Sequence, residues 1–155
     1  MQRRTLITAP LLLALPAWAH HGWSSFGQGR PLYLEGKALK VAWRNPHAEL
    51  VLELPAEGLK LPADLATRSL PAQSAPVDGP ALLRAAQLPT RKDRRWEIEL
   101  APLSRMHSWG VPEIKVGDAV AVLGFAFSGE KGDAVLRVEY LFLAGKTYGL
   151  RSSPA

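Results

Sequence analysis

Arg95-Trp96-Glu97-Ile98-Glu99-Leu100, followed by Ala101-Pro102-Leu103-Ser104-Arg105-Met106-His107-Ser108-Trp109-Gly110, changes its period halfway. In the first half Trp96, Ile98 and Leu100 alternate with Arg95, Glu97 and Glu99, the period of two of a strand with one buried face. In the second half that alternation stops. Pro102 suits a first helical position, and Gly110 and Pro112 end the segment, so residues 103–109 are expected to form one short helix.

Working outward, the other periodic segments also read as strands. Upstream lie Leu39–Trp43 and Glu49–Leu54, the latter with leucines on one face and glutamates on the other. Downstream, Lys115-Val116-Gly117-Asp118 is a turn that launches a strand through Val120, Val122 and Phe125. A last strand carries Leu136, Val138, Tyr140 and Phe142, and Ser128–Asp133 between them has the composition of a hairpin loop. The order is strand, strand, strand, short helix, strand, strand. That is the layout of an all-β, five-stranded barrel of the oligonucleotide/oligosaccharide-binding kind, with one helix between strands three and four. An open β-sandwich is the rival. Residues 57–90 lack a sustained amphipathic pattern, apart from a turn or two of helix over Pro80–Leu88. They are expected to be a long, exposed and partly mobile insertion. No internal repeat is present.

A chain of 155 residues suggests one domain. The first nineteen residues read as a leader: Arg3 and Arg4, an apolar run from Leu6 to Leu15, then Ala17-Trp18-Ala19 as a small-x-small cleavage pattern. The run is short and interrupted by Pro10 and Pro16, which argues against a membrane-spanning helix; an uncleaved anchor is the competing reading. The double arginine also fits a twin-arginine export signal loosely. The expected organisation is therefore a cleaved signal peptide over 1–19, a barrel domain over 20–148 and a flexible C-terminal tail over 149–155. A periplasmic or secreted location follows, with no stable membrane insertion after cleavage. The absence of cysteine excludes disulfides, thiolate metal sites and cysteine nucleophiles. Net charge is +5, and without Arg3 and Arg4 it is +3, from 17 basic and 14 acidic residues. That mild excess, partly from Arg91–Arg95, reads as a solvated loop, and nucleic acid is not expected as a partner of an exported domain.

Two of the four histidines, His20 and His21, directly follow the cleavage pattern. Cleavage after Ala19 would leave His20 with a free α-amino group of ordinary pKa about 7.7–8.0, from which a metal can displace a proton near neutral pH. Amine and imidazole Nδ1 of one residue can chelate one ion, and a second imidazole would complete a three-nitrogen set of the tetragonal type that suits Cu(II). This local chemistry resembles the histidine brace of lytic polysaccharide monooxygenases and some periplasmic copper carriers. His21 is a further ligand only if the backbone turns, because adjacent side chains of an extended chain face opposite ways. The second imidazole is expected from His47, in Trp43-Arg44-Asn45-Pro46-His47, where Trp43, Asn45 and Pro46 scaffold a defined turn. A bland reading has Asn45 and His47 bonding only the loop backbone. His107 and the soft thioether of Met106 are additional candidates, against which stand a solvated histidine and a core methionine.

The mature chain resembles a group of short exported bacterial proteins known only as a domain of unknown function. The matching positions are Ala19, His20 and His21; Trp43, Asn45, Pro46 and His47; Trp96 and Glu97; Trp109; and Lys115, Gly117 and Asp118. Gly22 stands where that family usually has Ser, His107 falls where a basic or small residue is commoner, and the 57–90 insertion is longer than usual. The resemblance implies an exported β-barrel and singles out three histidines without naming a reaction. The expected function is binding of copper, with zinc or no metal as alternatives, and a periplasmic metal donor or acceptor as partner. A sugar- or anion-binding module using Trp23, Trp43, Trp96, Trp109 and Arg94 or Arg95 comes second, although tryptophans of small barrels usually pack the core. A copper-dependent oxidoreductase comes third. No catalytic set stands out, and Glu97 and Glu99 read as solvated.

Overall fold

A computed structural model describes residues 22–155. Strands β1 (Leu32–Ala42), β2 (Glu49–Glu53), β3 (Arg95–Glu99), β4 (Ala119–Ala126) and β5 (Val135–Leu143) form one sheet. Antiparallel pairings join β1 to β2, β2 to β3, β1 to β4 and β4 to β5; a parallel pairing of β3 with β5 closes the circuit. This is the expected five-stranded barrel. Helix α2 (Leu103–Ser108) lies between β3 and β4, as the change of period at Pro102 requires. A sixth strand, β6 (Lys146–Gly149), adds antiparallel to β5.

Closure depends on β1, which serves two neighbours. Its first half, Leu32 to Lys37, pairs with β4, and its second half, Lys37 to Ala42, pairs with β2. Gly36 sits at the changeover, where a Cβ would overlap the carbonyl oxygen of Glu53. Gly124, beside the register shift between β4 and β5, is crossed as closely by the Arg137 carbonyl. Close backbone approach of this kind marks the bends of a closed sheet. The interior is filled by Leu34, Leu50, Leu52, Trp96, Ile98, Val122, Leu136 and Val138, with Met106, Val111 and Ile114 covering one end.

The outer face of the barrel is also apolar over β1, β4 and β5, and a few residues of the largely exposed 57–90 insertion pack on it. Tyr33, Leu123 and Tyr140 form a second cluster with Leu65, Leu83 and Ala86 of the insertion. Its helix α1 (Gly79–Ala85) carries Pro80 in its first turn, and Asp78 Oδ1 accepts from Ala81 N at 3.0 Å as the N-cap. Strands apolar on both faces need such a cover.

The 149–155 segment, expected as a flexible tail, makes hydrogen bonds to β5 and to the insertion. Leu150 is buried and its N–H donates to Glu139 O at 2.8 Å. Ser74 N donates to Ser153 O at 3.0 Å and Ala155 N to Ala72 O at 3.2 Å. Two backbone hydrogen bonds thus join this segment to residues 72 and 74 of the insertion. Among the described residues, no helix is long and apolar enough to cross a membrane.

Candidate functional site

The turn between β1 and β2 holds His47 from both sides. Its Asn45–Pro46 peptide is cis, and Asn45 Oδ1 accepts from Leu103 N at 3.2 Å, meeting an orphan donor of the first turn of α2. Ala48, fully buried, exchanges backbone hydrogen bonds with β3 and its continuation, giving to Ala101 O at 2.8 Å and accepting from Leu100 N at 2.9 Å. His47 is therefore fixed between a capped helix and a sheet ladder. Asn45 does bond backbone, yet that of α2 rather than its own loop.

His47 faces an arginine that the sequence did not mark. Arg137 Nη2 lies 3.3 Å from His47 Nε2, and Arg137 Nη1 donates to Glu99 Oε2 at 3.1 Å. Glu99 and Arg137 are register partners across the parallel seam, on the outer face because Ile98 and Leu136 beside them point inward. Glu99 is thus in a half-sheltered ion pair, its side chain 15% exposed, which corrects the expectation of a solvated carboxylate; Glu97 is exposed as expected. Glu49 pairs with Glu99 across β2 and β3, so a second carboxylate shares this face. A guanidinium can only donate, so a hydrogen bond between this pair has His47 Nε2 as its acceptor.

Trp23, in the first turn of the described chain, covers the same guanidinium. Arg137 Cζ lies 5.0 Å from the centroid of its ring and Arg151 Cζ 3.7 Å. Trp23 also meets the edge of Phe125, with ring centroids 6.4 Å apart. Arg151 in turn pairs with Glu139, which is fully buried and is also reached by Gln73 Nε2 at 3.3 Å. Burial and the neighbouring Arg137 charge push Arg105 below the usual guanidinium range; Arg105 Nη1 donates to Leu150 O at 3.0 Å. The result is an aromatic ring set between two Arg–Glu pairs, with an imidazole at the rim.

The other expected site residues are dispersed. His20 and His21 lie outside the described residues. Met106 is fully buried in the main core, where its side chain packs as a core methionine. His107 is exposed on α2. Trp96 is fully buried, its Nε1–H given to Asp93 O at 3.1 Å, so it offers no stacking surface. Trp43 and Trp109 pack against the core, and Trp109 Nε1 donates to Ser152 O at 2.8 Å. Arg94 and Arg95 are spent locally, on Leu54 O and Glu53. Among the described residues, no three His, Asp or Glu side chains are disposed to hold a metal ion. A complete nitrogen set would need donors from the segment preceding Gly22.

Arg137 and Glu139 went unread because Leu136-Arg137-Val138-Glu139 looks like a strand with an ordinary solvated face. The one signal was the cost of burying charge: two opposite charges two residues apart, in a strand rich in large apolar residues, need partners if covered. No curated protein and no solved structure matches this chain. Residues 10–61, a stretch that includes His20, His21 and the Trp43–His47 turn, match the profile of a family of unknown function (DUF6152).

Proposed function

We propose that the protein is exported, loses residues 1–19, and binds a transition-metal ion, copper, through the amine and imidazole of His20 together with the imidazole of His47. One observation carries this reading: a single guanidinium, that of Arg137, touches both His47 and Trp23. Three residue steps separate His20 from Trp23, a span of at most about 11 Å. The fold therefore anchors the chain just after the two N-terminal histidines on the face to which it fixes the loop histidine. Glu49 lies on the same face beside Glu99, whose charge is met by Arg137. His21 is a further donor, and a periplasmic metal donor or acceptor is the partner such a site serves.

The test begins with the mass of the exported protein, which should correspond to a chain starting at His20. Cu(II) titration of that form against a competing chelator should then show 1:1 binding, and His47→Ala should weaken it by about 10- to 100-fold, the range for loss of a metal-site group. Unchanged affinity in a folded His47→Ala protein excludes His47 as a ligand. A second reading, a small anion or sugar seated on Trp23 between Arg137 and Arg151, draws on that ring's two guanidinium neighbours. It takes over if copper does not bind and a glycan or anion quenches tryptophan fluorescence.

A further inference from the structure

We infer that the outer face of the barrel carries a groove for a neutral, hydroxyl-rich ligand, an oligosaccharide, seated between Glu35 and Phe142. The inference is independent of the metal reading, because the groove lies on β1, β4 and β5 and uses neither His47 nor the chain's beginning. Its geometry follows from strand register. Glu35 of β1 pairs with Ala121 of β4, and Ala121 with Phe142 of β5, so a carboxylate, a methyl and an aromatic ring stand in one row. At about 4.8 Å between neighbouring strands, the two large side chains rise about 10 Å apart over the small one. Ala119, two residues back on the same side of β4, keeps the trough open. Two residues forward the same face is filled, where Leu123 is buried with Tyr33 and Tyr140 against the insertion. The trough thus begins where the insertion's cover ends. It opens into hollows of about 570 and 540 Å³ that share Glu35, Ala121 and Phe142.

The lining sets the chemistry. Glu35 is half-buried, and the buried Tyr33 donates its hydroxyl to Oε2 at 2.6 Å, which fixes the carboxylate before a ligand arrives. A carboxylate offers about four acceptor sites, so hydroxyl donors of a ligand find places beside the one that Tyr33 fills. Phe142 packs partly against the outer cluster and lines both hollows, giving them an apolar platform. Charge is balanced along the groove. The first hollow carries Glu35, Glu53 and Glu57 against Lys37 and Arg94, and the second adds Asp64 against Arg68 and Lys146. Four acidic and four basic side chains favour neither an anion nor a cation. β4 is paired on both sides, so an extended peptide finds no free strand edge there. A sugar chain meets charged acceptors and donors along the walls and a ring to lie against.

The experiment titrates the ¹⁵N-labelled protein with neutral linear hexasaccharides of glucose and of N-acetylglucosamine, and with a galacturonic acid hexasaccharide as the anionic comparison. One of the neutral sugars should shift the amides of Glu35, Ala121 and Phe142 and leave those of Trp23 and Arg151 in place, with an affinity that added salt barely changes. Glu35→Gln keeps an acceptor for Tyr33 but loses the charge, and should weaken binding about tenfold. Phe142→Leu keeps an apolar side chain but loses the ring, and should weaken it about fivefold. No shift in the groove with either neutral sugar overturns the inference, as does tighter binding of the acidic one. Shifts confined to the Trp23 face, or wild-type affinity in both folded variants, overturn it too. Copper titration of the same protein reads the metal proposal separately, and neither result decides the other.

Discussion

At the scale of single residues, sheltered carboxylates are held charged by the donors gathered around them. Glu130 is the clearest case. Burial alone would raise its pKa, but donors from Thr90 N, Arg30 and Arg91 N outweigh burial and hold it at about 2. Arg91 closes the same loop by donating to the carbonyls of Glu130, Gly132 and Asp133. A carboxyl depressed in this way favours the folded state above its unfolded pKa, and that advantage is lost as pH falls from about 4.5 toward 2. Glu130→Gln should therefore cost roughly 3 kcal/mol at pH 7, at 1.36 kcal/mol per pKa unit. Denaturation at pH 7 and pH 2.5 checks this: the gap between wild type and variant should shrink at the lower pH. Met106 behaves oppositely. Met106→Ala should lose about 2–5 kcal/mol as a core truncation, with Cu(II) affinity unchanged; reduced affinity in the folded variant would return the thioether to the site.

At the scale of elements, what was readable follows from how many faces each strand buries. β2 and β3 bury one face, so Leu50 and Leu52 alternate with Glu49, Val51 and Glu53, Trp96 and Ile98 alternate with charged residues, and both strands were legible. The first half of β1 was not, because Leu32, Tyr33 and Leu34 are all buried and leave no period of two to see. β6 has four residues, too few for a pattern. The helix after Pro102 was legible through its flanking Pro and Gly. The site divides in the same way. His47 stood out as a histidine behind Asn-Pro, whereas Arg137 is known only from the parallel seam that brings Glu99 beside it, a non-local pairing that no local pattern encodes. The bend in β1 supplies a prediction at this scale. Gly36→Ala forces a methyl against the Glu53 carbonyl and should cost at least ~1–3 kcal/mol, the range for forced backbone shifts. A urea midpoint equal to wild type would show that β1 and β2 part more easily than described.

At the scale of the whole molecule, the barrel is covered on its outer apolar face by its own insertion, and the insertion is tied down by the chain's end. Leu83, far from the barrel interior, should then count as core. Leu83→Ala is expected to cost about 2–4 kcal/mol, where a residue of a loose loop would change stability by less than about 0.5 kcal/mol. This arrangement also leaves Trp23, near the start of the described residues, and the β1–β2 turn that carries His47 in contact with one guanidinium, that of Arg137. The claim that a metal joins His20 to His47 is tested most directly by the electron paramagnetic resonance spectrum of Cu(II) bound to the exported protein, recorded with its native first residue and again with one glycine added before it. The account predicts a tetragonal, nitrogen-rich spectrum that loses its amine contribution, and weaker binding, once the glycine is present. An identical spectrum and affinity in the two forms would contradict it.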